Sequence, residues 1–236
     1  MSVWLCIPSA RPVEQVEPVF AKWRERGYKI ALWRDQNDIP DDLKLHNNGE
    51  PYPGYAYSVN YLSRLVLSLD SSCDWIVTGG DDTLPDLNHT ADEIAASCSL
   101  HFMNQGRPET FGVMQPIGDR FAGGCIDRIA GSPWLGREWC LRANGGRGPF
   151  WPEFTHMFGD EALKRTAEKL GVYWARPDLT HLHNHFQRES DAIDAKAVPK
   201  PIPPHLTKWN SRAHWDEMQA IFRRLEAEDF KSCLPL

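Results

Sequence analysis

The chain lacks any run approaching ~20 consecutive apolar residues, so no membrane-spanning helix is expected. It also lacks a basic leader. The opening Met1-Ser-Val-Trp-Leu-Cys-Ile-Pro8 reaches proline at once and reads as a first strand, not a secretion signal. Its six cysteines (Cys6, Cys73, Cys98, Cys125, Cys140, Cys233) form no Cys-x-x-Cys pair. Thiols scattered in this way argue against a disulfide frame or zinc knuckle and point to a reducing compartment, the cytoplasm. Positive charge is in deficit, with a formal net charge of −6. A protein that grips long nucleic acid through its phosphates is usually basic, so the balance weighs against that class. No internal repeat is present.

What is present is the pattern of an α/β protein. A length of 236 residues suits one sizeable domain with a C-terminal extension. Residues 3–7 are a short apolar strand ended by Pro8. Residues 12–26 carry Val13, Val16, Phe20 and Trp23 at helical spacing between Pro12 and Gly27, and a second strand follows at 28–33. Strand, helix, strand within ~35 residues is the signature of a parallel sheet. A polar loop at 36–54, with a short strand at 43–45, leads to a helix whose face is Val59, Leu62, Leu65, Val66 and Leu69. Further strands are expected at 74–78 and 110–116, and helices at 90–103, 134–141 and 160–170. Two short strands then carry His181, His183 and His185. A proline-rich connector (196–206) precedes an amphipathic helix at 210–229.

Three motifs carry candidate chemistry. In Trp75-Ile-Val-Thr-Gly-Gly-Asp81-Asp82, an apolar strand delivers adjacent carboxylates to its C-terminal end, where open α/β sheets bind ligands. Oxygen ligands of this kind suit Mg²⁺ or Mn²⁺, needing only one or two carboxylates when phosphates complete the shell. An Asp-rich turn capping the strand is the bland alternative. In His181-Leu-His183-Asn-His185, strand alternation points three imidazoles to one face, which suits a metal or phosphate neighbourhood. In Gly159-Asp160-Glu161, an acidic pair opens a helix, where carboxylates are stabilising whatever the function. Ten tryptophans fit core packing first, and platforms for sugar rings or bases second.

Together these elements resemble the GT-A type glycosyltransferases (family 2-like), including compact phage and bacterial members, over almost the whole chain. The resemblance implies a Rossmann-like mixed, mostly parallel sheet flanked by helices, with a C-terminal helical extension. Its catalytic domain would span 1–195 (1–116 the nucleotide-binding half, 117–195 the acceptor and metal half), and 196–236 would be connector and helix. Pro8, Ser9 and Arg11 look like the nucleotide-contacting loop. Asp35 sits where a uracil or ribose contact is usual, and Asn60 and Arg64 resemble residues facing the diphosphate. Gly80-Asp81-Asp82 resembles the Asp-x-Asp motif, with Asp81 near the ribose and Asp82 on the metal, although Gly80 replaces its first acid. His181 and His183 would complete a Mn²⁺ or Mg²⁺ site. Asp160, with Glu161, resembles the late acidic motif that supplies the base in inverting members. The glycine-rich stretch 144–149 and Trp134, Arg137, Arg142 and Arg147 would shape a mobile acceptor side.

The implied activity is transfer of a hexose from a nucleoside diphosphate, UDP favoured, to a hydroxyl. The acceptor would be a glycan, a small molecule or a modified nucleobase in phage DNA, with the host cytoplasm as the setting if the chain is phage-encoded. Two other classes fit the same residue types. One is a metal-dependent phosphohydrolase or nucleotidyltransferase, and the other is a catalytically silent nucleotide-sugar-binding domain.

Overall fold

The computed structural model describes residues 1–34, 43–46, 52–120, 127–184 and 207–235. Strands are β1 (Ser2–Ser9), β2 (Lys29–Arg34), β3 (Leu43–His46), β4 (Cys73–Val77), β5 (Thr83–Leu84), β6 (Val113–Pro116), β7 (Trp134–Gly136), β8 (Tyr173–Arg176) and β9 (Leu182–His183). Helices are α1 (Val13–Glu25), α2 (Tyr55–Leu69), α3 (Ala91–Asn104), α4 (Arg137–Gly146), α5 (Gly159–Lys169) and α6 (Arg212–Ala227). Among the described residues, seven strands form one sheet in the order β3-β2-β1-β4-β7-β6-β8. All of its pairings are parallel except those of β7, which runs antiparallel to both neighbours. A second, two-stranded sheet joins β5 to β9.

The sequence explains the layering. Val3, Trp4, Leu5, Cys6 and Ile7 are all buried, as expected of a central parallel strand covered on both faces. Helix α1 turns Val16, Phe20 and Trp23 inward. Helix α2 buries Val59, Leu62 and Val66 against β1, while Leu69, expected on the same face, is exposed at the helix end. Thr90 and Glu93 start α3 with a reciprocal capping box. Cys6, Cys73, Cys98, Cys140 and Cys233 are buried free thiols. No described helix is long and apolar enough to cross a membrane.

Two expectations change here. Residues 134–141 are not one helix: Trp134-Leu135-Gly136 forms β7, inserted between β4 and β6, and only then does α4 begin. Three apolar residues running directly into a helix leave no period of their own. Trp134 is consequently a fully buried core residue, not an acceptor-side one.

The irregular last turn of α4 and the residues after it are held by hydrogen bonds. Asn144 takes a left-handed conformation (φ 53°) and donates to the Gly148 carbonyl at 2.8 Å. Buried Asn60 clamps the other side, donating to the Phe150 carbonyl at 2.8 Å and accepting from the Phe150 amide at 2.9 Å. Gly148 (φ 120°) lies so close to this side chain that an added Cβ would sit 2.6 Å from the Asn60 Cγ. Asn60 therefore serves the fold and does not face a donor diphosphate. Replacing it with alanine leaves the Phe150 amide and carbonyl without partners and opens a void. Asn60→Ala should cost about 2 kcal/mol of stability, read by urea unfolding.

Candidate functional site

Strand β4 ends at Val77 opposite Leu5 of the longer parallel β1; the loop after β4 (residues 79–82) and the end of β1 with the residues beyond it (8–11) line a cleft of about 630 Å³. The Gly80–Thr83 turn is closed by the Thr83 amide on the Gly80 carbonyl (3.1 Å) and the Gly80 amide on Thr83 Oγ1 (3.3 Å). Trp23 anchors it from α1, donating its indole N–H to the Thr83 carbonyl at 2.7 Å. The Asp82 carboxylate folds back over the turn. A Cβ at position 80 would lie 2.4 Å from Asp82 Oδ1. With glycine at position 80 the Asp82 carboxylate takes this place without a clash.

Below the acids lies a set of cations. Arg11 Nε meets Asp81 Oδ1 at 3.1 Å and its Nη2 meets Asp82 Oδ2 at 2.7 Å. Ser9 Oγ donates to Asp81 Oδ2 at 2.8 Å. Beneath it, Arg34, 1% exposed, donates to Ser9 Oγ at 2.8 Å and to the Arg11 carbonyl at 3.0 Å. His183 Nε2 approaches Asp82 Oδ1 at 3.1 Å, placed there by the β5–β9 pairing of Thr83 with His183. The Asn184 amide donates to the Asp82 carbonyl at 2.9 Å, and Asp119 accepts from the His183 amide at 2.9 Å. Burial alone would raise the Asp82 pKa, but hydrogen bonding and charge from His183 and Arg11 outweigh it and hold the group well below the usual carboxylate range.

His181 does not join its neighbour. Strand β9 covers only Leu182–His183, so the alternation expected for three histidines does not extend to position 181. Its ring lies in the core, edge-on to Trp23 at 5.2 Å. Ser132 Oγ donates to the Thr78 carbonyl (3.0 Å), so it accepts from His181 Nδ1 (2.7 Å), and His181 Nε2 in turn accepts from the Trp134 indole (3.5 Å). Both ring nitrogens are committed, which corrects the expectation of a metal ligand. His185 lies outside the described residues, as does Asp35.

In the same cleft, Asp160 opens α5, its Oδ1 accepting from the Glu161 amide at 2.9 Å. Burial pushes its carboxyl up to about 6, with the Glu161 charge adding to the rise and hydrogen bonds and Arg128 offsetting part of it. Glu161 does not line the cleft and lies 3.7 Å from Arg165.

The cleft thus gathers Pro8, Ser9, Arg11, Gly80, Asp81, Asp82, His183 and Asp160. The expected acceptor-side arginines are elsewhere, and Arg64 with them. Arg137 donates to the Cys73 and Leu67 carbonyls at 2.9 and 3.1 Å. Arg142 lies over the Phe111 ring, Arg147 lies over Trp151, and Arg64 reaches the Arg147 carbonyl at 3.3 Å. Each satisfies a carbonyl or an aromatic face outside the cleft, a use that sequence cannot tell from ligand binding. Conversely, the expectations missed Trp33, Tyr52, Tyr55, Trp209, Asn210 and Trp215, all of which line the cleft. Tyr55 is tied to Thr78 Oγ1 at 2.5 Å. The high tryptophan count was the one signal pointing to them.

Among the described residues no three His, Cys, Asp or Glu side chains converge as a complete metal cage. Asp82 and His183 do converge as an oxygen–nitrogen pair. Such a donor set fits a divalent cation whose remaining ligands come from a substrate's phosphates and water. Comparison with protein-family models and with curated proteins returned no match.

Two predictions follow from these charges. Arg11→Met removes the cation shared by two largely buried carboxylates and should cost about 3 kcal/mol of stability, measured by denaturant unfolding at neutral pH. The second concerns the opposed titrations of His181 and Asp160. Burial lowers His181 from 6.5 to about 4, so between those values the unfolded chain binds more protons and stability rises with pH. Asp160 is raised from 3.8 to about 6, so between those values the folded chain binds more protons and stability falls as pH rises. Urea titrations from pH 4 to 6.5 should show a less positive slope of stability against pH in His181→Gln than in the parent, and a more positive one in Asp160→Asn. The reverse pattern would reject these assignments.

Proposed function

We propose that this chain is a metal-dependent glycosyltransferase of the GT-A type. It would move a sugar from a nucleoside diphosphate, UDP favoured, to an acceptor hydroxyl. One observation carries the reading: one cleft beyond the parallel strands β1 and β4 is lined by Asp81, Asp82, Arg11 and His183 and also by Asp160, a carboxyl with a pKa of about 6. The mixed, mostly parallel sheet flanked by helices supports it as the right class of scaffold.

In this reading Asp82 and His183 would hold Mn²⁺ or Mg²⁺, which when bound offsets the charge growing on the leaving diphosphate. Arg11 adds guanidinium donors suited to phosphate oxygens. Asp81, oriented by Ser9, is a fixed acceptor for a ribose hydroxyl. Pro8 and Gly80 let the nucleotide approach the floor closely. Asp160 is ionised at neutral pH yet more basic than an ordinary carboxylate, the compromise a general base needs. It would accept the acceptor's hydroxyl proton as the oxygen attacks, giving inversion at the anomeric carbon.

Thermal-shift measurements with UDP, GDP, CDP and TDP, each with and without Mn²⁺, test the nucleotide end. One diphosphate, UDP by preference, should raise the melting temperature in a metal-dependent way. Asp82→Ala should remove that metal dependence while the variant remains folded. Absence of a shift with every nucleotide would sink the reading. Once a donor and acceptor are in hand, Asp160→Asn should lower kcat by roughly 10²–10⁴-fold. The parent's rate should rise with pH through about 6 as Asp160 ionises.

A further inference from the structure

Part of the cleft's aromatic lining comes from the C-terminal part of the described chain. Trp209, Asn210 and Trp215 line the cleft together with Met157 and Asp160. These residues are held firmly. His214 shares a 3.0 Å hydrogen bond with Thr155 Oγ1, and Met218 Sδ accepts from the Thr155 amide at 3.4 Å. Phe222 packs against Phe158 at 5.4 Å between ring centroids. Trp215 lies edge-on to Phe158 at 4.8 Å, yet remains 39% exposed although it is the bulkiest type of apolar side chain. Trp209 meets Tyr52 edge-on at 5.7 Å and carries the Lys208 ammonium over its ring at 4.9 Å.

We infer that Trp215, with Trp209 and Asn210 beside it, is the seat of the acceptor, and that the acceptor is a neutral saccharide presenting the apolar face of its ring to the indole. The inference rests on the proposed transferase reading and deepens it. An indole offers a broad apolar face to ring C–H groups, while the neighbouring Asn210 amide and Asp160 carboxylate supply the polar partners that sugar hydroxyls require. Charge favours a neutral occupant over a nucleic acid. Arg212 and His214, near Trp215, are already paired with Asp216 and Glu217 at 2.9 and 3.5 Å, and Lys208 lies over Trp209. The whole chain is acidic, at −6. Asp160 lines the same cleft, and Phe158, two residues before it, packs against Trp215, so a hydroxyl of the seated ring would be presented to the group proposed to take its proton.

The test uses the full chain with Mn²⁺ and saturating UDP. Neutral methyl glycosides and disaccharides, and in parallel pyrimidine nucleosides and a short single-stranded oligonucleotide, are screened by saturation-transfer NMR. At least one saccharide should receive saturation at its ring C–H protons. Trp215→Ala should weaken that saccharide's binding about tenfold, as loss of a stacking partner implies, and Trp215→Tyr should restore most of it. UDP affinity should be the same in all three proteins. Saccharide binding unaffected by Trp215→Ala, binding of nucleosides or oligonucleotide alone, or no acceptor binding beside normal UDP binding would each overturn the platform and leave the nucleotide end standing. Failure of the parent protein to bind any of UDP, GDP, CDP and TDP would instead remove the transferase reading, and the platform with it; if another of the four binds, that nucleotide takes the place of UDP in the test.

Discussion

The structure turns on a cluster of opposite charges held with little water at the tips of two central strands. Asp81 and Asp82 are adjacent in sequence and nearly buried, an arrangement that repulsion and desolvation both oppose. Arg11 bridges the two, Arg34 supports the loop from below through Ser9, and His183 closes on Asp82 from a separate small sheet. Remove the cations and the carboxylates could not remain ionised in place. Remove the carboxylates and the largely buried Arg11 guanidinium would lose both of its acid partners. Such a cluster contributes little net stability compared with an apolar core, so its presence at a cleft floor is better explained by use than by folding.

The fold delivers this cluster by ordinary means. Parallel pairing sets Ser9 at the end of β1 opposite Arg34 of β2, while β4 ends at Val77 opposite Leu5, so that the loop after β4 runs on beside the end of β1 and brings Asp81 to Ser9. The β5–β9 pairing adds a histidine from a hundred residues later. Glycine at position 80 gives the Asp82 carboxylate space to lie over its own turn. Another part of the wall, with Asp160 and the C-terminal tryptophans, is built by α5 and by the segment leading into α6. The cleft therefore combines charged side chains with aromatic ones, Trp33 and Tyr55 standing beside the charged loops.

Much of this was legible in the sequence because its signals were local. The apolar run of β1, the helical spacing of α1 and the strand running into Asp81-Asp82 each need only a few neighbouring residues to be read. His183 and Asp160 were legible as members of short motifs. What could not be read was decided by distant contacts. Asn60 and Arg64 share a helix face that could equally have met a ligand, and instead they meet the backbone near residue 150. Arg137, Arg142 and Arg147 are absorbed by carbonyls and rings. His181 and His183 share a parity, but a two-residue strand does not carry that parity into position. Trp209 and Trp215 give no local hint of a cleft, since the wall they complete is made by residues far away in the chain.

The Asn60–Phe150 clamp and the docking of α6 on Thr155 have a consequence for how the molecule comes into being. The first spans 90 positions along the polypeptide, and the second joins the last helix to a wall laid down about sixty positions earlier. In chain order the charged floor has its partners once residue 183 has been made, whereas Trp209 and Trp215 follow later. The cleft wall carried by Trp209 and Trp215 is therefore assembled later than the floor made by residues 8–11 and 79–82.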